Sequence, residues 1–394
     1  MKILIANLGS TSFKYRLFDM SEDNAAQLAS GGFERVTDYT SCIEEMLQSL
    51  VGEGHLQSGE EIDAVGFKTV LGKDLSGCVA ADAHVLEALE GFKEVAPAHN
   101  PAYATGIRCF AEKLPTVKRV ALFETAFYQW MTPAAYSYAI PQAWRDLGIR
   151  RYGFHGASHK FVAERSAEML GNDAVADRVR QLYVDGPGEY KGVPLRVLSC
   201  HLGGSSSVTG IQNGVAIGTS MGFSPQSGLP QNNRVGDLDS MAIPYVCKML
   251  GVSVEEAERQ LNKESGLLGL SGVSNDARDI REAAEKGNKD AALATEVLID
   301  SIRHWAGSFF FKMGGAEAIT FTAGIGENDV ELRAAVCAGL EGLGVQIDPA
   351  ANAKAIRGAE GIISTPNSKI KVIVIPANEE FVIAREVFRK VKVS

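Results

Sequence analysis

A strand, a small-residue bend and a second strand are written twice in this chain, and the repeat constrains the fold more than any other feature. The bends Asn7-Leu8-Gly9-Ser10-Thr11-Ser12 and His201-Leu202-Gly203-Gly204-Ser205-Ser206 lie almost half the chain apart. A β-branched or apolar run (Ile3 to Ile5; Val197 and Leu198) enters each, and an alternating run (Phe13 to Phe18; Ser207 to Ile211) leaves it. Glycine lets a backbone approach a ligand with no Cβ in the way, and successive N–H groups beside hydroxyls can hold phosphate oxygens. Either unit alone reads equally as a plain hairpin. The correspondence of Asn7 with His201 and of Gly9 with Gly203 favours two turns gripping one polyphosphate. Neither bend is G-x-x-x-x-G-K-[ST], and neither is G-x-G-x-x-G ahead of a helix, so P-loop and dinucleotide folds are disfavoured.

Length and charge bound the rest. A chain of 394 residues exceeds what one core holds and implies two domains. A formal net charge of −9 argues against nucleic acid as a partner, so an anionic substrate needs locally placed cations. The six cysteines are scattered without C-x-x-C, which suits reduced thiols. The first apolar stretch ends at Asn7, and no apolar run reaches the ~20 residues of a membrane helix. A cytoplasmic protein with no membrane partner is expected.

Periodicity predicts strands at 2–7 and 13–19, a charged loop, a helix near 40–51, a strand at 62–67, helices near 82–92 and 101–113, and a strand at 119–123. A Tyr-, Pro- and Trp-rich crossover spans 131–144. Beyond it come a helix near 156–170, a loop at 185–194, the second hairpin from Arg196, and helices near 238–250, 254–262, 276–286 and 290–313. Strands at 319–321 and 371–375 and a closing helix at 381–391 follow, with the tail expected to cross back onto the first domain. This order suits an α/β fold.

Several loop residues could carry chemistry. Glu124 follows the apolar strand Val120 to Phe123, as a carboxylate for metal or alignment, or as the acid stabilising the first turn of a helix at 125–131. Arg150 to His159 packs two arginines, two histidines and two glycines into ten residues. His155, between Gly153 and Gly156, is placed to reach a cleft, whereas His159 suits a structural hydrogen bond. Zinc is disfavoured because no third or fourth ligand is at hand. Arg234 could stabilise a phosphoryl group in flight or pair with Asp237 or Asp239. Gly324-Ile325-Gly326-Glu327-Asn328 after a strand, joined to Asp276-Ala277-Arg278, could form a nucleoside pocket. Glu379 and Glu380 could ligate metal or cap the last helix.

Assembled in order, these segments resemble the acetate kinase family, within the acetate and sugar kinase, heat-shock and actin superfamily. The most specific pieces are Arg151-Tyr152-Gly153-Phe154-His155-Gly156, Thr219-Ser220-Met221-Gly222-Phe223, Leu261 to Gly269 and Phe321 to Asn328. The resemblance implies a homodimer of duplicated ribonuclease H-like, actin-like ATPase domains with an interdomain cleft. Residues 1–147 with 379–394 would form the carboxylate and metal side, and 148–378 the nucleotide-binding and dimerising side. It implies transfer of the γ-phosphoryl of ATP to a short-chain carboxylate, acetate or propionate, with Mg²⁺ or Mn²⁺, giving ADP and an acyl phosphate. By position, Asn7 and Glu379 match the metal site, Lys14 a phosphate contact, and Glu124 the catalytic carboxylate. His155 and Arg234 match the transition-state pair, expected with Mg²⁺ to supply the cations around the phosphoryl oxygens. His201, Leu202, Gly203, Gly204, Ser205, Asp276, Ala277, Arg278 and Gly324 to Asn328 match the nucleotide segments. Lys68, Val70, Ala98, Phe154 and Pro225 match the acid pocket.

The chain departs from the family where Lys68 replaces an arginine, Glu124 an aspartate and Ala98 a leucine, and at Gln231-Asn232-Asn233. Lysine gives up the two-donor fork. These changes allow two alternatives, a kinase for a larger acid and a nucleotide-binding relative with reduced or lost turnover.

Overall fold

The first glycine bend joins β1 (Lys2–Leu8) to β2 (Ser12–Met20), which pair antiparallel with Asn7 opposite Lys14. The computed structural model describes residues 1–9, 11–22, 25–95 and 99–393. β3 (Ala25–Glu34) extends the meander, and β4 (Ala64–Thr69) and β6 (Lys118–Phe123) add in parallel on the other side of β1. β5 (Cys78–Ala80) closes the edge antiparallel to β6, giving the order β3-β2-β1-β4-β6-β5.

The second sheet repeats this arrangement strand for strand. β7 (Arg196–Leu202), β8 (Ser206–Gln212) and β9 (Val215–Thr219) form the meander. β10 (Ala318–Thr322) and β12 (Lys371–Val374) join in parallel, and β11 (Gly361–Ile362) is the antiparallel edge. Its order is β9-β8-β7-β10-β12-β11. The duplication seen in two bends therefore extends over two whole mixed sheets.

Central strands are apolar on both faces because helices cover both faces. Ile3, Leu4 and Ile5 are buried, as are Leu198, Cys200, Ile319, Val372 and Val374. One face of the second sheet packs on the long helix Lys289–Met313 through Leu298, Ile302 and Phe309. The other meets the helices Gly156–Met169 and Asp173–Asp185 through Val197, Ala318 and Ile373. The closing helix Glu379–Val393 crosses back onto β1 and β4, as expected. It lies so close that a Cβ on Gly66 would stand 2.7 Å from Val387. That helix also packs on Gly156–Met169, which itself rests on β7 and β10, so these two helices join the halves.

Several expectations need correction. The segment expected as a charged loop after residue 19 contains β3, whose half-exposed, glycine-bearing sequence hides its strand character. A Cβ on Gly31 would sit 2.5 Å from the Tyr15 hydroxyl, so the strand needs glycine there. The helix at 125–131 is a single 3₁₀ turn, Ala126–Tyr128, and the helix expected from 238 starts at Ala242. Asp173–Asp185, Gly266–Ser271 and Val330–Cys337 are helices not anticipated. The six cysteines are free thiols. Among the described residues no helix is long and apolar enough to cross a membrane.

Candidate active site

Parallel strands end on one side of a sheet, and there the polar residues collect. On the first sheet Asn7 sits near the end of β1, Lys68 near the end of β4 and Glu124 just past β6, with Glu124 N donating to the Thr69 carbonyl at 2.8 Å. Lys68 Nζ lies 2.5 Å from Glu379 Oε2 and 3.3 Å from Glu124 Oε1. Tyr103 is buried, donates to Asn7 Oδ1 at 3.0 Å and feels the same three charges, which ties Asn7 to the cluster.

Burial opposes the charge on Lys68, but Glu124 and Glu379 outweigh it and hold the ammonium above the usual lysine range. Two carboxylates share this one ammonium and divide. Burial and the neighbouring Glu379 push Glu124 up against the pull of Lys68, while Lys68 and His201 overcome burial and hold Glu379 down.

The second sheet supplies a different edge. His155, in the left-handed region at φ 62°, caps the helix Gly156–Met169. Glu124 Oε2 accepts from His155 N at 2.8 Å, and the Glu124 carbonyl accepts from Gly156 N at 2.9 Å. A Cβ at Gly156 would stand 2.4 Å from that carbonyl oxygen, which explains the glycine beside the histidine. Glu124 is therefore committed to Lys68 and His155. It is not the stabiliser of a following helix, which corrects that alternative.

Three imidazoles meet here. His155 and His201 stack with centroids 4.1 Å apart, and His159 lies 6.0 Å from His201. Each ring is tied to hydroxyls: His155 Nδ1 to Ser207 at 2.8 Å, His201 Nδ1 to Ser158 at 2.8 Å, and His159 to Ser199 and Ser207 at 2.7 and 2.8 Å. Burial, then the other imidazoles, drive His155 well below its usual range; His159 follows for the same reasons, and burial takes His201 to about 4. Burial and the neighbouring imidazoles thus favour His155 as a neutral hydrogen-bonding ring, against the cation expected from sequence. The hydroxyl bond made by His159 agrees with its expected structural role.

Arg234 donates to Gln231 Oε1 at 3.3 Å, and among the described residues no carboxylate pairs with it. The expected alternatives are occupied elsewhere, Asp237 by Gly228 N and Asp239 by Met241 N. Burial alone lowers its affinity for its proton. Gln231, buried, also accepts from Ser205 Oγ at 2.8 Å and donates to the Pro225 carbonyl at 2.6 Å, so it joins the second bend to the acid-pocket loop. His99 is held low by burial and by Arg234 and Lys68, which places it near both cations.

A cavity of about 500 Å³ opens beside the second bend. Of the expected nucleotide residues, Gly203, Gly204, Asp276, Ala277, Arg278, Gly324, Ile325 and Asn328 line it, joined by Asn232, Arg281 and Asp329. Asp276 caps the helix Ala277–Glu285 and is held near 2 by its hydrogen bonds from Arg278. Leu202 is core, Ser205 is bound to Gln231, the Gly326 carbonyl accepts from Arg333, and Glu327 accepts from Ala377 N at 2.7 Å, just ahead of Glu379. Lys14 is exposed, with Nζ 3.8 Å from Glu34. Val70 and Phe154 are buried in the first core, and Ala98 lies outside the described residues.

Asn7, Glu379 and Glu124 offer oxygen donors only, and the imidazoles are engaged with hydroxyls. That set fits a hard cation such as Mg²⁺, which takes one or two carboxylates and completes its shell with phosphate and water. No three His, Cys, Asp or Glu side chains among the described residues form a complete cage.

Tyr103, Ser158 and Ser207 were not singled out from sequence, and their partners are 43 to 96 residues away. Gln231 was marked only as part of a departure from the family, with no role given to it.

Two repeated sheets, whose strand ends hold a lysine between carboxylates and an acid-free arginine beside a polar cavity, have the build of a phosphotransferase. The acetokinase family model matches residues 2–385. The chain is 40% identical to the acetate kinase of Geobacillus sp. (strain WCH70), with 98% of each chain covered. The crystal structure of Porphyromonas gingivalis acetate kinase superposes with a TM-score of 0.88 at 34% identity, covering 98% of this chain and 99% of that one. A propionate kinase from Francisella tularensis subsp. tularensis SCHU S4 superposes with a TM-score of 0.84 at 33% identity over 98% of each. The protein belongs to the acetokinase family.

Proposed function

We propose that the protein transfers the γ-phosphoryl group of ATP directly and in line to a short-chain carboxylate, acetate or propionate, giving ADP and an acyl phosphate. The observation that carries this reading is Arg234, a half-buried guanidinium that pairs with no acid among the described residues, two residues from Asn232 in the wall of a nucleotide-sized cavity and acting with Lys68 on His155 and His99. Such a group is suited to charge spread over the equatorial oxygens of a phosphoryl in transfer.

A carboxylate oxygen of the acid attacks the γ-phosphorus as the bond to the β-bridging oxygen breaks. The acid is ionised at neutral pH, so no general base is required. Arg234 balances the charge, and neutral His155, its Nδ1 held by Ser207, offers Nε2 as a hydrogen-bond donor. Lys68 receives the acid, with Val70, Phe154 and Pro225 as apolar wall. Glu124 orients Lys68 and the His155 backbone. Asn7 and Glu379 would hold Mg²⁺, which when bound would neutralise phosphate charge. Gly203, Gly204, Asp276 to Arg278, Gly324, Ile325 and Asn328 hold the nucleotide, and Lys14, exposed at the outer lip, adds at most a weak contact to its phosphates.

The same reading assigns residues 1–147 with 379–394 and residues 148–378 to two ribonuclease H-like domains. A homodimer is supported by the helix Ala242–Leu250, which buries no residue and exposes Tyr245, Met249 and Leu250 beside Met241. A hydroxamate assay with ATP, Mg²⁺ and a series of acids tests the activity. Acyl phosphate is expected from acetate or propionate, and its absence with every acid would overturn the reading.

A further inference from the structure

Lys68 occupies an unusual position, because its ammonium is bound to the carboxylate that the proposed function gives to a metal ion. Nζ stands 2.5 Å from Glu379, half-buried like Lys68 itself, and 3.3 Å from the buried Glu124. An ammonium and a divalent cation cannot both occupy the inner face of Glu379. We propose that Lys68 is an exchangeable internal cation: it pairs with the metal-side carboxylates, leaves Glu379 when a divalent ion binds there, and is thereby presented to the carboxylate of the acid. Metal and acid then bind synergistically. This inference rests on the assignment of Glu379 to the metal.

Charge and reach support it. With both carboxylates ionised, Lys68, Glu124 and Glu379 carry one net negative charge; a divalent ion turns it into one net positive charge, which a monocarboxylate cancels. At close range in a partly buried site each such reversal is a substantial energy. The flexible four-carbon stem of lysine, ending in a compact charge with rotatable donors, can change partners. Lys68 also sits near the carboxyl end of β4, two residues before the wall residue Val70, so a short swing brings it to the acid pocket. Arg234 lies on the other side, close enough with Lys68 to hold His99 low, so once Glu379 is taken Lys68 keeps Glu124 and gains a carboxylate of the acid as its second partner of matching sign.

The test uses Mn²⁺, read by electron paramagnetic resonance on the full-length enzyme with saturating ADP and no turnover. Removing the competitor in Lys68→Met should tighten Mn²⁺ binding about tenfold, and acetate should tighten Mn²⁺ binding to the wild type about tenfold by linkage, but not to the variant. Lys68→Arg, which keeps a cation, should keep part of the acetate effect. Should Lys68→Met fold poorly, a crystal structure of the wild type with Mn²⁺ and ADP decides: Lys68 Nζ is expected beyond hydrogen-bond distance of Glu379. Equal or weaker Mn²⁺ binding by Lys68→Met, an acetate-independent wild type, or an unmoved Lys68 would overturn the proposal. A failed hydroxamate assay would instead defeat the activity while leaving the Mn²⁺ exchange standing.

Discussion

The two halves share one strand order and differ in what they place at the strand ends. The first half ends in charge, with Lys68, Glu124 and later Glu379 in mutual contact. The second ends in neutral rings and hydroxyls, with His155, His159 and His201 bound to Ser207, Ser199 and Ser158. A duplicated scaffold has thus been given two chemistries. The charged edge suits ions that come and go, and the neutral edge suits fixed donors beside a cavity. Arg234, from the loop after the second meander, is a cation the neutral half contributes between them.

If this division is right, Arg234→Ala should do the most damage. Among the described residues its side chain bonds only Gln231, so the fold should survive while kcat for acyl phosphate formation falls about 10³-fold or more, as for other phosphoryl-stabilising arginines. Thermal melting alongside steady-state kinetics checks both parts. Glu124→Gln removes one of the two carboxylates holding Lys68 and weakens the clamp on His155 N. Misalignment of this kind costs on the order of a hundredfold, expected mainly in kcat.

The neutral edge predicts its own pH response. His155, His159 and His201 are all held below the usual histidine value of about 6.5, His201 at about 4, so as pH falls below about 6.5 the unfolded chain binds protons that the folded chain refuses. Their stabilisation is complete above that pH and is lost as pH falls below it, by at most about 1.4 kcal/mol per pH unit for each ring. Urea denaturation at pH 7.5, 6 and 5 should show this decline, and His159→Gln should flatten it. The smallest effect is expected at Lys14, whose exposed ammonium reaches only toward Glu34: Lys14→Ala should change kcat less than about threefold. A large loss there would mean that the outer lip of the charged edge closes on the phosphates.

Much of the architecture was legible where the signal is local. Ile3 to Ile5 and Val197-Leu198 announce buried strands, and the glycines of the two bends announce the turns. β3 was missed because it lies at an edge and packs through Gly31 on Tyr15, a contact no pattern of apolar residues marks. The reading of Glu124 as a helix stabiliser failed for a related reason. Local logic looks to the next turn, whereas Glu124 serves Lys68 and His155, 56 residues before it along β4 and 31 residues after it. The charge expected on His155 is opposed by burial beside His159 and His201, the latter 46 residues away, a clustering that local spacing does not mark. Lys14 shows the converse: in β2 its neighbours Phe13 and Tyr15 point inward, so alternation alone puts Lys14 outside.

The most direct test of the two-edge account is a crystal structure with ADP, Mg²⁺, acetate and aluminium fluoride as a mimic of the phosphoryl in transfer. The account expects ADP in the cavity lined by Gly203, Asp276 and Gly324, with the fluoride within about 3 Å of both His155 Nε2 and the Arg234 guanidinium. Aluminium fluoride bound away from both residues, or ADP seated outside that cavity, would contradict it.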